Sequence, residues 1–106
     1  MPRTPPPTFD CLAAMRALGE SSRLRIVRQL LIGPHSVNDL CDELQLTAYN
    51  ASRHLTVLKT AGLVSVEKQA QKRIYQLASA FQSRLTKNNQ VLDLGCCQFD
   101  FTKMPE

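Results

Sequence analysis

The sequence predicts a mainly α-helical domain that carries a small β-hairpin, followed by an atypical strand-like C-terminal tail. The first observation is a series of amphipathic helical stretches before Gly62, punctuated by Gly19 and by Gly33-Pro34. The second is a change of apolar period after Gly62, in Leu63, Val64, Val66 and again in Ile74, Tyr75, Leu77. The third is alternation along Gln90–Phe101, with Leu92, Leu94 and Cys96 on one face and Cys97, Phe99 and Phe101 on the other.

Each element has its own signals. The spacing predicts a first helix over Thr8–Leu18, with Phe9, Leu12, Ala13 and Met15 facing inward and Gly19 ending it. A second spans Ser21–Ile32; Leu24, Val27, Leu30 and Leu31 form its stripe, Arg23, Arg25 and Arg28 lie off it, and Gly33-Pro34 stops it. Ser36 and Asp39 make a capping-box start for a third helix, Ser36–Gln45, whose apolar face is Val37, Leu40, Cys41 and Leu44. Only Gln45 and Leu46 separate it from Thr47, whose hydroxyl suits an N-cap. In the fourth helix Ala51, Leu55 and Leu58 recur at i, i+4, i+7. Gly62 suits the left-handed exit.

Two short amphipathic helices joined this tightly make a helix-turn-helix. The outer face of the second carries Ala48, Tyr49, Ser52, Arg53 and Thr56, small or polar groups with one fork-shaped cation, a set that suits a DNA major groove. The hairpin after it is a wing. Its tip, Glu67–Lys72, has no Gly or Asn-Gly and is expected to be open and mobile. Ala78–Lys87 reads as a short helix with Phe81 and Leu85 on one side, broken at Asn88-Asn89. Gly95 reads as a bulge in the tail strand, which needs cover from the domain's own sheet or from a second subunit.

Charge supports a polyanionic partner. The chain has 106 residues and a formal net charge of +4, a balance spread unevenly. Thr47–Thr60 holds Arg53, His54 and Lys59 without an acid, and Lys68–Arg73 holds Lys68, Lys72 and Arg73 without one. Asp39, Asp42 and Glu43 fall on the preceding helix, so one end is expected to be basic and another acidic. No apolar run approaches the roughly eighteen residues of a membrane span, and the opening MPRTPPPTFD lacks the apolar segment of a signal peptide. No membrane partner is expected, the expected location is cytoplasmic, and the cysteines are expected as reduced thiols. The domain reading is a Pro-rich flexible arm at 1–8, a winged helix-turn-helix DNA-binding domain at 9–87 and a strand-like tail with vicinal cysteines at 88–106. No catalytic residue is expected: His35 falls in a turn after Pro34 and His54 on the fourth helix, neither beside a nucleophile.

Ala17–Ile26 (ALGESSRLRI), Asp39-Leu40-Cys41, Ser52-Arg53-His54-Leu55 and Lys59–Val64 (KTAGLV) occur in an order and spacing that resembles the ArsR/SmtB family of winged-helix repressors. The resemblance covers Leu12–Leu77. It implies a homodimeric repressor that binds a palindromic double-stranded operator and lets go when an inducer binds, with no cofactor required. By position, Thr47, Ala48, Asn50, Ser52 and Arg53 would face the groove, with Arg53 on guanine or phosphate. Tyr49 would touch a thymine methyl, stack on sugar or stay exposed. His54 would contact DNA or pack against a neighbouring helix. Lys59, Lys68, Lys72 and Arg73 would meet phosphates, the plain alternative for Arg73 being an exposed strand residue. Cys41 stands alone where metal-sensing members carry Cys-x-Cys, which favours packing, and the last family helix is replaced by the tail.

Three readings of Cys96-Cys97 stay open. The resemblance suggests capture of a trivalent arsenical or soft metal ion as inducer, with Cys11 or Cys41 as a third ligand. Strand geometry opposes that in its simplest form, because neighbouring side chains point to opposite faces. The second reading is redox sensing by oxidation of the pair, although adjacent Cα atoms sit closer than disulfides prefer. The third is plain packing. Beyond these, a winged-helix module that binds protein and no nucleic acid is the rival class. Val91–Cys96 is also similar to the cofactor loop of S-adenosylmethionine-dependent methyltransferases, but Cys97, Gln98 and Phe99 stand where that loop needs glycines.

Overall fold

A computed structural model describes residues 10–86, 88 and 90–104. The expected arm at 1–8, with Phe9, lies outside them. Helix α1 is Cys11–Leu18, and α2 is Ser21–Ile32 as expected. The inward face expected for α1 is corrected. The Asp10 carboxylate accepts the N–H groups of Leu12 and Ala13, so the helix starts later than Thr8, and Ala14, Ala17 and Leu18 are its buried residues. Small alanines let α1 approach its neighbours closely. Leu12 and Met15 are left 55% and 40% exposed. In α2, Val27 and Leu30 are buried, Leu24 and Leu31 pack at the edge of the core, and Ile26, which the stripe did not include, is fully buried.

His35–Ser36 is a short strand, β1, rather than a turn. It pairs antiparallel with the wing, and His35 Nδ1 lies 2.7 Å from the Gly33 carbonyl oxygen. Ser36 then starts α3 (Val37–Leu44) through a complete capping box: its hydroxyl accepts the Asp39 N–H at 3.1 Å, and its own N–H donates to the Asp39 carboxylate at 3.3 Å. That same exchange holds the Asp39 carboxyl below its ordinary range. The Ser36 N–H is the main cause, the Ser36 hydroxyl the next, and the charge of Lys72 also contributes. Gln45 takes the left-handed conformation, φ 57°, and Arg25 Nη2 donates to the Leu44 carbonyl at 2.9 Å, satisfying the end of α3. Helix α4 (Ala48–Thr60) follows, with Ala51, Leu55 and Leu58 fully buried.

The wing consists of β2 (Val64–Gln69) and β3 (Lys72–Leu77), in a sheet of order β1-β3-β2. Pairing runs to Gln69↔Lys72, so the tip is a tight turn at Ala70-Gln71 and not the open loop expected. Ala70 supplies the left-handed residue, φ 55°, that Asn or Gly supplies elsewhere.

The tail is corrected most. The helix expected over Ala78–Lys87 is only α5, Ser79–Gln82; Leu85–Thr86 is a strand, β4, and Lys87 and Asn89 lie outside the described residues. Gln90–Phe101 is a hairpin rather than one bulged strand: β5 (Val91–Asp93), a turn over Leu94–Cys97, then β6 (Gln98–Asp100), in a second sheet of order β4-β5-β6. Gly95 sits in that turn with φ 89°, where its lack of Cβ is needed, and its N–H donates to the Asp93 carboxylate. A short 3₁₀ turn, Phe101–Lys103, closes the described chain. The cover the tail needs comes from its own domain: Leu92, Leu94 and Phe101 are buried in one cluster with Leu18, Ile26, Leu55 and Leu58.

Candidate nucleic-acid interface

The outer face of α4 is open. Ala48, Tyr49, Ser52, Arg53, Thr56 and Lys59 are exposed and Asn50 is half-buried. Thr47 spends its hydroxyl on capping, accepting the Asn50 N–H at 3.1 Å, so its first role is to start the helix. The Arg53 guanidinium lies over the Tyr49 ring, 5.7 Å from its centroid, one helical turn back. Tyr49 is itself 73% exposed. The pair presents a flat aromatic surface with a planar cation on it, and the stack limits where the Arg53 fork can reach.

His54 turns the other way. Arg23 Nη1 lies 3.3 Å from His54 Nδ1, and the Arg23 Nε–H donates to the Ala17 carbonyl at the end of α1. A guanidinium has no acceptor atom, so in a hydrogen bond between the two Nδ1 is the acceptor. Glu20 stands 4.0 Å from the same nitrogen and accepts the Arg23 N–H at 2.9 Å as the N-cap of α2. Desolvation pushes the Glu20 carboxyl up; the Arg23 N–H and the nearby His54 outweigh it, and the net shift is downward. His54 therefore ties α4 to the start of α2. Arg23, Glu20 and Arg25 carry this framework, and reading α2 by its buried stripe left them without a role.

On the wing, Lys68 stands directly opposite Arg73, and Gln69 opposite Lys72, all four exposed. Like charges facing each other across a ladder are mutually repulsive. Ser36, which caps α3, pairs with Ile74 of β3, so the N-terminus of α3 and its Asp39 start beside the wing, and the charge of Lys72 is the smallest of the causes that lower the Asp39 carboxyl.

The cysteines are not four free thiols. Cys11 and Cys96 form a disulfide with Cα atoms 6.5 Å apart, joining the start of α1 to the β5–β6 turn. The oxidised partner of Cys96 is thus Cys11 and not its neighbour. Cys97 Sγ is a free thiol 4.0 Å from Cys96 Sγ, and Met15 Sδ lies 3.8 Å from Cys96 Sγ. The turn brings both vicinal sulfurs to one side, which a regular strand does not. Cys41 is free and half-buried in α3. Among the described residues no group of three or more His, Cys, Asp or Glu is placed to hold a metal ion, and no helix is long and apolar enough to cross a membrane.

A family model for bacterial regulatory proteins of the arsR family matches residues 20–66. The HTH-type transcriptional repressor SmtB of Mycobacterium tuberculosis is 38% identical over 77 residues, 70% of this chain and 57% of that protein. The solved structure of reduced HlyU from Vibrio cholerae superposes with a TM-score of 0.62 at 35% identity, covering 64% of this chain and 72% of that one. The homodimeric winged helix-turn-helix DNA-binding domain of Mb0332 from Mycobacterium bovis gives a TM-score of 0.63 at 26% identity, over 65% and 64%. The chain spans at most about three fifths of the length of the first curated relatives it matches.

Proposed function

Because this chain belongs to the ArsR family of winged helix-turn-helix regulators, we propose that it is a sequence-specific DNA-binding transcriptional repressor, acting as a homodimer on a palindromic operator. In this reading α4 enters the major groove. Ala48, Tyr49, Ser52 and Arg53 contact bases, Thr47 and Asn50 set the helix start against the backbone, and Lys59, Lys68, Lys72 and Arg73 bind phosphates. His54 is a positioning residue. The observation that carries the reading is the facing pair Lys68 and Arg73, exposed at the tip of a tight hairpin. Such a pair weakens the wing in isolation, and an anionic partner removes the repulsion. The homodimeric Mb0332 domain supports a homodimer here, and the repressor SmtB supports repression. A twofold dimer reads half-sites about one helical turn apart or a multiple of it.

The inducing signal in this reading is thiol oxidation through Cys11 and Cys96. A peroxide takes two electrons from the two thiols, the sulfurs join, and the peroxide leaves as alcohol and water. The disulfide pins α1, which packs on α4, to the tail hairpin. A second reading, supported by the crowding of Cys11, Cys96 and Cys97, is that the reduced thiols capture a trivalent arsenical or soft ion.

Duplexes selected from a random library, titrated with reduced and with peroxide-treated protein, test the proposal. Binding is expected in the reduced form and weakened about 5- to 150-fold on oxidation, the usual range of allosteric coupling. Equal affinity in both forms removes the thiol signal. Absence of a selected sequence removes the DNA reading. Release of the reduced protein by arsenite alone favours the second reading.

A further inference from the structure

The disulfide has a free thiol beside it. Cys97 Sγ stands 4.0 Å from Cys96 Sγ, both in the turn that Gly95 opens, while Cys41 is on α3. Cys96 is an exposed residue, and Cys97 is half-buried and packed against the core cluster. Thiol–disulfide exchange needs a thiolate within reach of a disulfide sulfur and no external oxidant or reductant.

We propose that Cys97 is an exchange site built next to the Cys11–Cys96 disulfide. Its thiolate attacks Cys96 Sγ; a Cys96–Cys97 bond forms, the Cys11–Cys96 bond breaks, and Cys11 leaves as a thiolate that takes a proton from solvent. The number of disulfides is unchanged. What changes is the tether: α1 is released from the β5–β6 turn while the chain stays oxidised. Adjacent Cα atoms are about 3.8 Å apart, below the roughly 4.4 Å at which unstrained disulfides begin, so the vicinal bond is the minor form. It is a route by which the tether opens and not the resting state. This rests on the thiol-oxidation reading above, and it names the group that terminates the oxidised signal. A small-molecule thiol meeting the vicinal form completes the reduction.

Peptide mapping of the oxidised full chain, labelled slowly with dilute N-ethylmaleimide near pH ~8 where thiols begin to ionise, tests it. Two products are expected: Cys97 labelled with Cys11–Cys96 intact, and Cys11 labelled with Cys96 bonded to Cys97. The second product is expected to be lost in Cys97→Ser. Wild-type protein that yields only the first product, however slowly it is labelled, overturns the exchange and leaves the redox reading standing. Oxidised protein in which Cys11 and Cys96 are both labelled and never joined removes the redox reading, and the exchange with it. The wild-type map decides these outcomes whether or not the serine variant folds.

Discussion

Arg23 Nη1 and His54 Nδ1 meet at 3.3 Å, across the gap between the N-terminal turn of α2 and the middle of α4. Arg23 also holds the Ala17 carbonyl, so one guanidinium joins α1, α2 and α4. The orientation of α4 therefore depends on a side chain two helices upstream. A double-mutant cycle with Arg23→Met and His54→Phe, read by urea denaturation, is expected to give a coupling of about 0.5–3 kcal/mol, the range for residues in one network. His54→Asn, which keeps an acceptor where Nδ1 sits, is expected to retain part of it.

Arg53 is exposed and leans on Tyr49 rather than on the core. Arg53→Ala is expected to leave the thermal midpoint unchanged and to weaken DNA binding by about 1–3 kcal/mol, as for a bidentate base contact. Arg53→Lys keeps the charge and loses the fork, and is expected to lose sequence preference more than affinity. Anisotropy on matched and scrambled duplexes separates the two.

The facing cations Lys68 and Arg73 give a prediction with two signs. Arg73→Gln is expected to stabilise the free protein by about 0.2–1 kcal/mol, by removing a like-charge cross-strand pair. The same change is expected to weaken DNA binding evenly across sequences and to reduce the salt slope by about one. Thermal melts and a salt titration on one sample check both.

Asp39 provides a pH dependence. Its carboxyl is held below the ordinary range by the Ser36 N–H and hydroxyl, so its contribution to stability is present above the unfolded pKa and is lost as pH falls through the lowered native value. Asp39→Asn is expected to be less stable than wild type at neutral pH, with the difference narrowing below about pH 4, where the unfolded carboxyl protonates. Ser36→Ala removes the cap itself and is expected to cost about 0.5–2 kcal/mol throughout.

Most of the helical core was legible because its signals are local. Ser36, Asp39 and Thr47 announce their caps by residue type and spacing, and Ala51, Leu55 and Leu58 declare the buried face of α4 without reference to anything else. The buried face of α1 does not follow side-chain size: Ala14 and Ala17 are inside, and Leu12 and Met15 are outside. The wing tip hid because Ala70 carries none of the usual marks of a left-handed residue. In the tail, alternation of period two fits one long strand or two short ones equally well, and only the turn at Gly95 distinguishes them. At the interface, residue types on α4 were readable. The inward turn of His54 was not, because its partners are 31 and 34 positions away. The Cys11–Cys96 pairing, across 85 positions, was hidden for the same reason.

In the proposed function the outer face of α4 and the wing bind duplex phosphates and bases. The most direct measurement is a salt titration of a labelled, selected duplex with wild-type chain and with a variant carrying Arg53→Gln, Lys68→Gln and Arg73→Gln. Log K is expected to fall linearly with log salt for the wild type, and the slope to flatten by about 0.9 for each phosphate the variant no longer neutralises. Wild type and variant that bind with equal affinity and equal slope would contradict it.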